Sequence, residues 1–286
     1  MENLNIKIVG LGEGGAKIIS KMLAAGVGRN LPVEFLAVGN DENIMLTSAA
    51  RKNIFLNRDI TTIYKSIADA LRGAKIIFIV AGLASGAARS AVPIILSCAK
   101  NSEASTVAFM CKPFVLENSL RKLNAEYTLN NLRGHVDTLF TVPAEKFFIF
   151  RLNQPQVSLE ELFDAADEIF CCGVKNFLDM VAEDISLCTR GEAAFGYGEA
   201  TTALDAIKFA AKFPTLDENE FKSAQGIFVR LESGTPLSLS SIDTVKNFLK
   251  AQLPPDAEFF LQEKIFPSHM EKIFASIIFT RKPTNA

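Results

Sequence analysis

Apolar and polar positions along the first half of the chain exchange one period for another. Ile6, Ile8 and Val9 form a short apolar run that reads as a buried strand, and Ile18, Ile19, Met22 and Leu23 then recur at helical spacing. Between them, within the stretch Asn5 to Met22, lie Gly10, Gly12, Gly14 and Gly15. The alternation continues through Val33 to Val38, Ile54 to Leu56, a helix from Thr62 to Arg72, and Lys75 to Val80. The run from Ile76 to Val80 is continuously apolar, as a central strand covered on both faces requires. It leads into a second small-residue turn, Ala81 to Ser90, and then a helix from Ala91 to Ala99. The pattern puts Pro93 in the first turn of that helix, where a missing N–H costs little. Thr106 to Met110 and Thr138 to Val142 supply two further strands, separated by a polar helix carrying Leu116, Leu120, Leu123 and Leu129. Such alternation predicts an α/β fold with a Rossmann-like parallel sheet under helices.

Ser158-Leu159-Glu160-Glu161 fits a capping box, and the apolar residues from Leu159 to Val181 then follow one long helical period. Its apolar groups spread widely around the helix, which implies core on more than one side and a place between two domains. Beyond it the pattern changes to Ala193 to Gly198, a helix from Thr201 to Lys212, then Gly226 to Leu231, Ser241 to Lys250 and Phe274 to Thr280. The expected organisation is a nucleotide-binding domain at 1–157, a connecting helix at 158–182 and a smaller α+β domain at 183–286.

A strand that delivers a turn into a helix N-terminus presents unpaired N–H groups at the positive end of the helix dipole, and small residues let an anion come close. Gly10 to Gly15 also satisfies GxGxxG, with Asp41 after the next apolar run placed to meet a ribose hydroxyl. Taken alone, the same glycines also suit a tight strand-to-helix connection that binds nothing. With 286 residues, a formal net charge of -2 and 49% hydrophobic residues, the chain can bury a large core and shows no overall drive toward nucleic acid. The five cysteines lie among apolar neighbours without CxxC pairing, which reads as reduced core thiols, and no metal site is evident. With no signal segment and no apolar run long enough to span a bilayer, a cytoplasmic location is expected. Phe is abundant at 23 residues while Trp is absent, a preference for aromatic bulk without a polar handle.

Beyond these patterns, several segments in order resemble the tubulin/FtsZ family. The opening IKIVGLGEGGAKIISKM, VEFLAVGND at Val33 to Asp41, and AKIIFIVAGL at Ala74 to Leu83 are similar to that family's nucleotide-domain strands. So are CKPFVLEN at Cys111 to Asn118 and VDTLFTVPAEKFF at Val136 to Phe148. The helix from Glu161 to Val181 resembles the family's central helix, and GEAAFGYGEAT, AQGIFVRLESGTPLSL and IFASIIFT match the small domain. The resemblance implies a GTP or GDP pocket, head-to-tail stacking with itself or another FtsZ-like protein, and hydrolysis completed by an acid-bearing loop inserted into a neighbour's site. Carried over by position, the cofactor-binding candidates are Gly12, Gly14, Gly15, Asp41, Gly82, Gly86, Glu117, Arg121, Phe163 and Asp167. Phe163 and Asp167 match positions that stack on and hydrogen-bond the guanine; without the resemblance they read as ordinary core and a solvated helix face.

Departures from the family pattern are equally specific. Glu13 replaces a phosphate-turn glycine, which repels a triphosphate if the carboxylate points inward and is harmless if it points to solvent. Gly39 and Asn40 stand in place of an Asn-Thr pair, and Ala144 in place of a guanine-side Asn. The family's GGGTGTG becomes Ala84 to Ser90, keeping only Gly86. Non-glycine residues at positive φ cost on the order of 1 kcal/mol each, so a reshaped turn with side chains in the pocket is expected. Arg89 either pairs with phosphate or fills the old cavity and pairs with Glu13 or Asp41. The glycine loop between Leu56 and Thr62 is shortened to Asn57 to Thr61. About ten residues are missing after the central helix, and at roughly 3.3 Å per extended residue the shortened loop does not cross an interface. Glu183 and Asp184 remain as weak catalytic candidates or as solvated surface.

Three functions follow as alternatives. The first is an FtsZ-like structural or regulatory partner with a degenerate GTP pocket and little or no hydrolysis. The second is an active, polymerising GTPase with an atypical pocket, and the third a dinucleotide-dependent enzyme, for which His135 and His269 offer no readable catalytic neighbourhood. The family's C-terminal peptide for membrane tethers has no counterpart after Thr280, so no tether binding by that route is expected.

Overall fold

The computed structural model describes residues 4–29, 31–43, 48–145, 159–182, 191–212, 218–268 and 271–281; between 159 and 169 only Asp167 has a described side chain. The chain divides into two units, Met1–Thr189 and Arg190–Ala286.

The first unit is built on six parallel strands: β1 (Ile6–Leu11), β2 (Val33–Gly39), β3 (Lys52–Phe55), β4 (Ile76–Gly82), β5 (Ser105–Lys112) and β6 (Thr138–Pro143). Their spatial order is β3-β2-β1-β4-β5-β6. Ile6 sits beside Val33 on one side and Ile76 on the other, so β1 and β4 share one register. Both read as continuous apolar runs because both faces of the sheet are covered. The one charge in β1, buried Lys7, reaches Glu34 at 2.8 Å. Hydrogen bonding by Lys7 holds the Glu34 carboxyl below its usual range.

Helices α2 (Ile60–Leu71), α3 (Gly86–Ser102) and α4 (Ser119–Leu132) cover one face, with Ile63, Ile67, Ala88, Ile95 and Leu129 in a core that continues through Val9, Ile77, Ile79 and Ala108. The other face carries α1 (Gly12–Ala24) and the long α5 (Leu159–Val181), which pack against each other. Five phenylalanines join α5 to the sheet: Phe109 and Phe140 stack at 4.0 Å, Phe177 meets Phe140 edge-on at 4.9 Å, and Phe78 and Phe170 flank them. The abundance of Phe over Trp and Tyr is thus spent on a dry helix-to-sheet contact.

Three sequence expectations differ here. Helix α3 starts at Gly86 rather than Ala91, so Pro93 lies inside it; Pro93 is exposed, and water can serve the carbonyl that its missing N–H leaves unpaired. Of the leucines expected on the polar helix, Leu120, Leu123 and Leu129 lie on α4 but Leu116 precedes it. A strand at Glu258–Ile265 was not expected, because as a half-exposed edge it lacks a continuous apolar run.

The second unit holds β7 (Gly191–Ala200), β8 (Gly226–Ser233), β9 (Glu258–Ile265) and β10 (Ile273–Arg281) in the order β7-β10-β8-β9. β10 pairs antiparallel with β7 and β8, and β8 pairs parallel with β9. Helices α6 (Ala203–Ala210) and α7 (Leu239–Lys250) share one core with Ile227, Val229, Leu231, Ile277 and Phe279. Arg230, fully buried in β8, donates through Nε to Gln262 at 3.0 Å.

Candidate functional site

Strand order reverses between β1 and β4: the chain moves outward through β2 and β3 on one side and through β5 and β6 on the other. In open parallel sheets the crevice beyond the carboxyl ends at such a switch point is where ligands sit. The two glycine-containing turns leave these two strands. The first runs from Gly10 into α1 and the second from Gly82 into α3, so both helix N-termini face one crevice.

Steric demands divide the glycines into two groups. A Cβ on Gly10 would lie 2.4 Å from the carbonyl oxygen of Gly15, and one on Gly15 would lie 2.6 Å from the carbonyl carbon of Gly10 and 2.7 Å from the Val80 oxygen. These two glycines let α1 settle onto the sheet. Gly12 has φ +71°, and a Cβ there would meet Ser85 Oγ at 2.5 Å, so the two turns touch each other. In contrast, added Cβ atoms on Gly14, Gly82 and Gly86 would meet no atom within 4 Å. They border open space.

The second turn is not strained. Glu103 is the only non-glycine residue at positive φ among those described, and neither Gly82 nor Gly86 is at positive φ. The replacements for the family's glycines therefore adopt backbone that any residue tolerates. Ala84, Ala87 and Ala88 turn their methyl groups into the hydrophobic core. Ala87 Cβ also lies 3.5 Å from where a Cβ on Gly12 would stand, so it faces the first turn as well as the core.

Capping separates these two helices from others. Asp59, Asn118, Thr202 and Ser238 each accept a backbone N–H through their side chains at the starts of α2, α4, α6 and α7. Leu11 and Ser85, at the starts of α1 and α3, make no side-chain capping bond. First-turn N–H groups at the crevice are thus left for an acceptor from outside. Open space over three glycines and two uncapped helix ends suit the phosphates of a nucleotide.

Around this cradle the remaining candidates fall in distinct places. Glu13 is exposed and lies 3.7 Å from Lys17, one helical turn on, which is the solvent-facing placement. Asp41 accepts the N–H of Asn43 at 2.9 Å, and Glu42 accepts from Asn57 at 3.1 Å, tying the short segment after β3 to the exit of β2. Glu117 accepts from Phe114 N at 3.0 Å and is paired with Arg121, so these two candidates fix the loop between β5 and α4. Asp167 on α5 lies 3.9 Å from Lys21 on α1. Arg89 does not pair with Glu13 or Asp41: it is exposed, Nη1 donates to Asn124 at 3.1 Å, and its guanidinium lies 5.0 Å from the centre of the Tyr127 ring. The Phe163 side chain, Glu183 and Asp184 lie outside the described residues.

Sequence reasoning missed Cys111, at the carboxyl end of β5. Burial, and after it the carboxylates of Asp167, Glu117 and Glu145, push its thiol up to about 12. Only the acid-bearing loops hinted at it. Among the described residues no cluster suited to a metal ion occurs, and no helix is long and apolar enough to cross a membrane.

Comparison with known proteins agrees with this geometry. The family model for the GTPase domain of the tubulin/FtsZ family matches residues 41–150. The chain is 28% identical to the cell division protein FtsZ of Caulobacter vibrioides over 96% of its own length and 59% of that protein's. It spans about half to three-fifths of the length of the curated relatives it matches. A single-residue variant of FtsZ from M. jannaschii superposes with TM-score 0.84 at 24% identity, covering 97% of this chain and 91% of that one. A GTPγS-bound protofilament of CetZ2 from Haloferax volcanii superposes with TM-score 0.79 at 16% identity, covering 97% and 93%. Two turns at one switch point and the order of the sheet go with a chain whose sequence is similar to FtsZ proteins, whose residues 41–150 match the tubulin/FtsZ GTPase domain, and whose fold is that of solved FtsZ structures.

Proposed function

We propose that this chain binds guanine nucleotide in the crevice between β1 and β4 and serves as a cytoskeletal or cell-division subunit that stacks with itself or another FtsZ-like protein, with little or no hydrolysis of its own. The observation that carries the proposal is the open space over Gly14, Gly82 and Gly86 between two helix ends without side-chain caps. In it, Gly12, Gly14, Gly15, Gly82 and Gly86 hold the phosphates through backbone N–H groups, Asp41 meets the ribose, and Asp167 with Phe163 serves the base. The bound nucleotide supplies the charge and the face that complete a stacking joint. Low turnover follows from the sequence after α5, where about ten residues of the family's acid-bearing loop have no counterpart. Glu117 and Arg121, paired with each other, position the loop beside the ligand.

The test is calorimetric titration of the purified chain with GTP, GDP and NAD, with light scattering and phosphate release on the same samples. Micromolar binding of GTP and GDP with negligible phosphate release is expected. Absence of guanine-nucleotide binding would return the degenerate pocket, and turnover rising with protein concentration would establish the active polymerising GTPase instead.

A further inference from the structure

Between α4 and the loop that leads into it from β5, the first unit has a cavity of about 320 Å³. Its floor is apolar, with Leu83, Ala125 and Leu129 all buried there. Pro113, Phe114 and Val115 of the loop also line it, and Val115 remains 68% exposed, an apolar lip that gains by being covered.

The charges around this hollow are uneven. Lys112, the last residue of β5, lines it with Lys122 and with Arg133 at the C-terminal end of α4, against one carboxylate, Glu126. Lys122, Glu126, Leu129 and Arg133 follow at spacings of four, three and four, so a single side of the helix carries them. Among the described residues neither lysine has an ion-pair partner. Each lysine alone is ordinary surface. Around one apolar hollow, the three cations set a preference for a ligand whose body is apolar and whose end is negative. The volume, low in the range of small-molecule pockets, selects a compact one. The loop is already fixed, because Glu117 accepts the N–H of Phe114 and Glu145 that of Val115, so the ligand meets a wall that it does not have to order.

We propose that this cavity binds a small amphipathic anion, a carboxylate on a short apolar body, with the body on Leu83, Ala125 and Leu129 and the carboxylate held by Lys112 and Lys122. A multiply charged ligand is disfavoured by the apolar floor and by Glu126. The cavity shares no residue with the proposed nucleotide site and does not rest on it.

The test is calorimetric titration of the purified chain with octanoate, with octanol and acetate as the two halves of that probe. Octanoate is expected to bind in the sub-millimolar range, and octanol and acetate about tenfold or more weakly. Lys112→Met/Lys122→Met, which removes both charges and keeps apolar bulk, weakens octanoate about tenfold and leaves octanol unchanged. The thermal midpoint of that variant holds, since neither lysine is paired. Glu126→Gln removes the opposing charge and tightens octanoate about threefold, a sign that a merely structural role for these residues would not give. Lys65→Met, exposed on α2 and outside the cavity, changes nothing. Octanoate that fails to bind, binds no better than octanol, or binds the double-lysine variant as well as wild type overturns the proposal. So does displacement of octanoate by GDP, which would put the probe in the nucleotide crevice. A chain that binds octanoate and no GDP supports this site and overturns only the nucleotide reading.

Discussion

The turn after β1 and the turn after β4 arrive at one crevice by different backbone routes. The first cannot be built without glycine: Gly10 and Gly15 let two backbone segments approach within distances that no Cβ allows, and Gly12 is held at φ +71°. The second uses no positive φ, and its methyl groups pack inward. A glycine motif therefore mixes two requirements, one of backbone geometry and one of free space toward a ligand. Only the second kind of position, at Gly14, Gly82 and Gly86, leaves free space toward a ligand.

The sharpest way to break this comparison is Gly15→Ala. Its Cβ would lie 2.6 Å from the carbonyl carbon of Gly10 and 2.7 Å from the oxygen of Val80, and neither backbone atom can move without displacing β1 or β4. A loss of about 3 kcal/mol is expected from such overpacking, measured as a lower urea midpoint. If the variant unfolds like wild type, α1 does not rest on the sheet through these glycines.

Gly12→Ala should cost less, about 2 kcal/mol, from the left-handed conformation together with the clash at Ser85 Oγ. The two causes separate in the double variant Gly12→Ala/Ser85→Gly, which removes the clash and leaves the φ penalty. Partial recovery of the urea midpoint is expected. Full recovery would mean that φ is not constrained there, and no recovery that the two turns do not touch.

Much of the fold was legible from periodicity, for a physical reason: parallel strands covered on both faces, such as Ile76 to Val80, must be apolar throughout, and that signal survives without any tertiary information. The edge strand Glu258–Ile265 carries no such requirement and was invisible. At the site, the sequence located both turns but could not place the alanines, because the direction of a Cβ depends on φ and ψ rather than on residue type. The partners of Arg89 were not legible for a related reason. Its position in the turn is local information, but its partners Asn124 and Tyr127 come from a helix more than thirty residues later.

Gly86→Ala sharpens the comparison from the opposite side. The position is the first residue of α3 and borders open space, so stability should hold or rise by about 0.5 kcal/mol, as glycine-to-alanine changes in helices do. Affinity for GDP should fall about tenfold, because the methyl occupies room needed by a phosphate. Ala84→Gly, whose methyl points into the core, should leave affinity unchanged. Calorimetry on the two variants decides whether orientation or mere size governs the second turn.

The smallest effect concerns helix ends. At the start of α2, Asp59 accepts the Thr62 N–H at 2.9 Å, and hydrogen bonding from Thr62 holds its carboxyl below the ordinary value of 3.8. A lowered folded-state pKa means that the charged cap's stabilisation is fully present above that ordinary value and is lost as pH falls through the lower, folded one. Asp59→Asn keeps an acceptor but not the charge, so wild type should be slightly the more stable at pH 7 and the two should converge in acid. Because the site is solvent-exposed, added salt should also shrink the difference at pH 7. At α3, where Ser85 provides no ionisable cap and the first turn carries no acidic residue, the same acid range should leave the helix end unaffected unless a nucleotide is bound. Urea midpoints for both proteins, between neutral and acid pH with and without GDP, separate an end capped by its own chain from one left for a ligand.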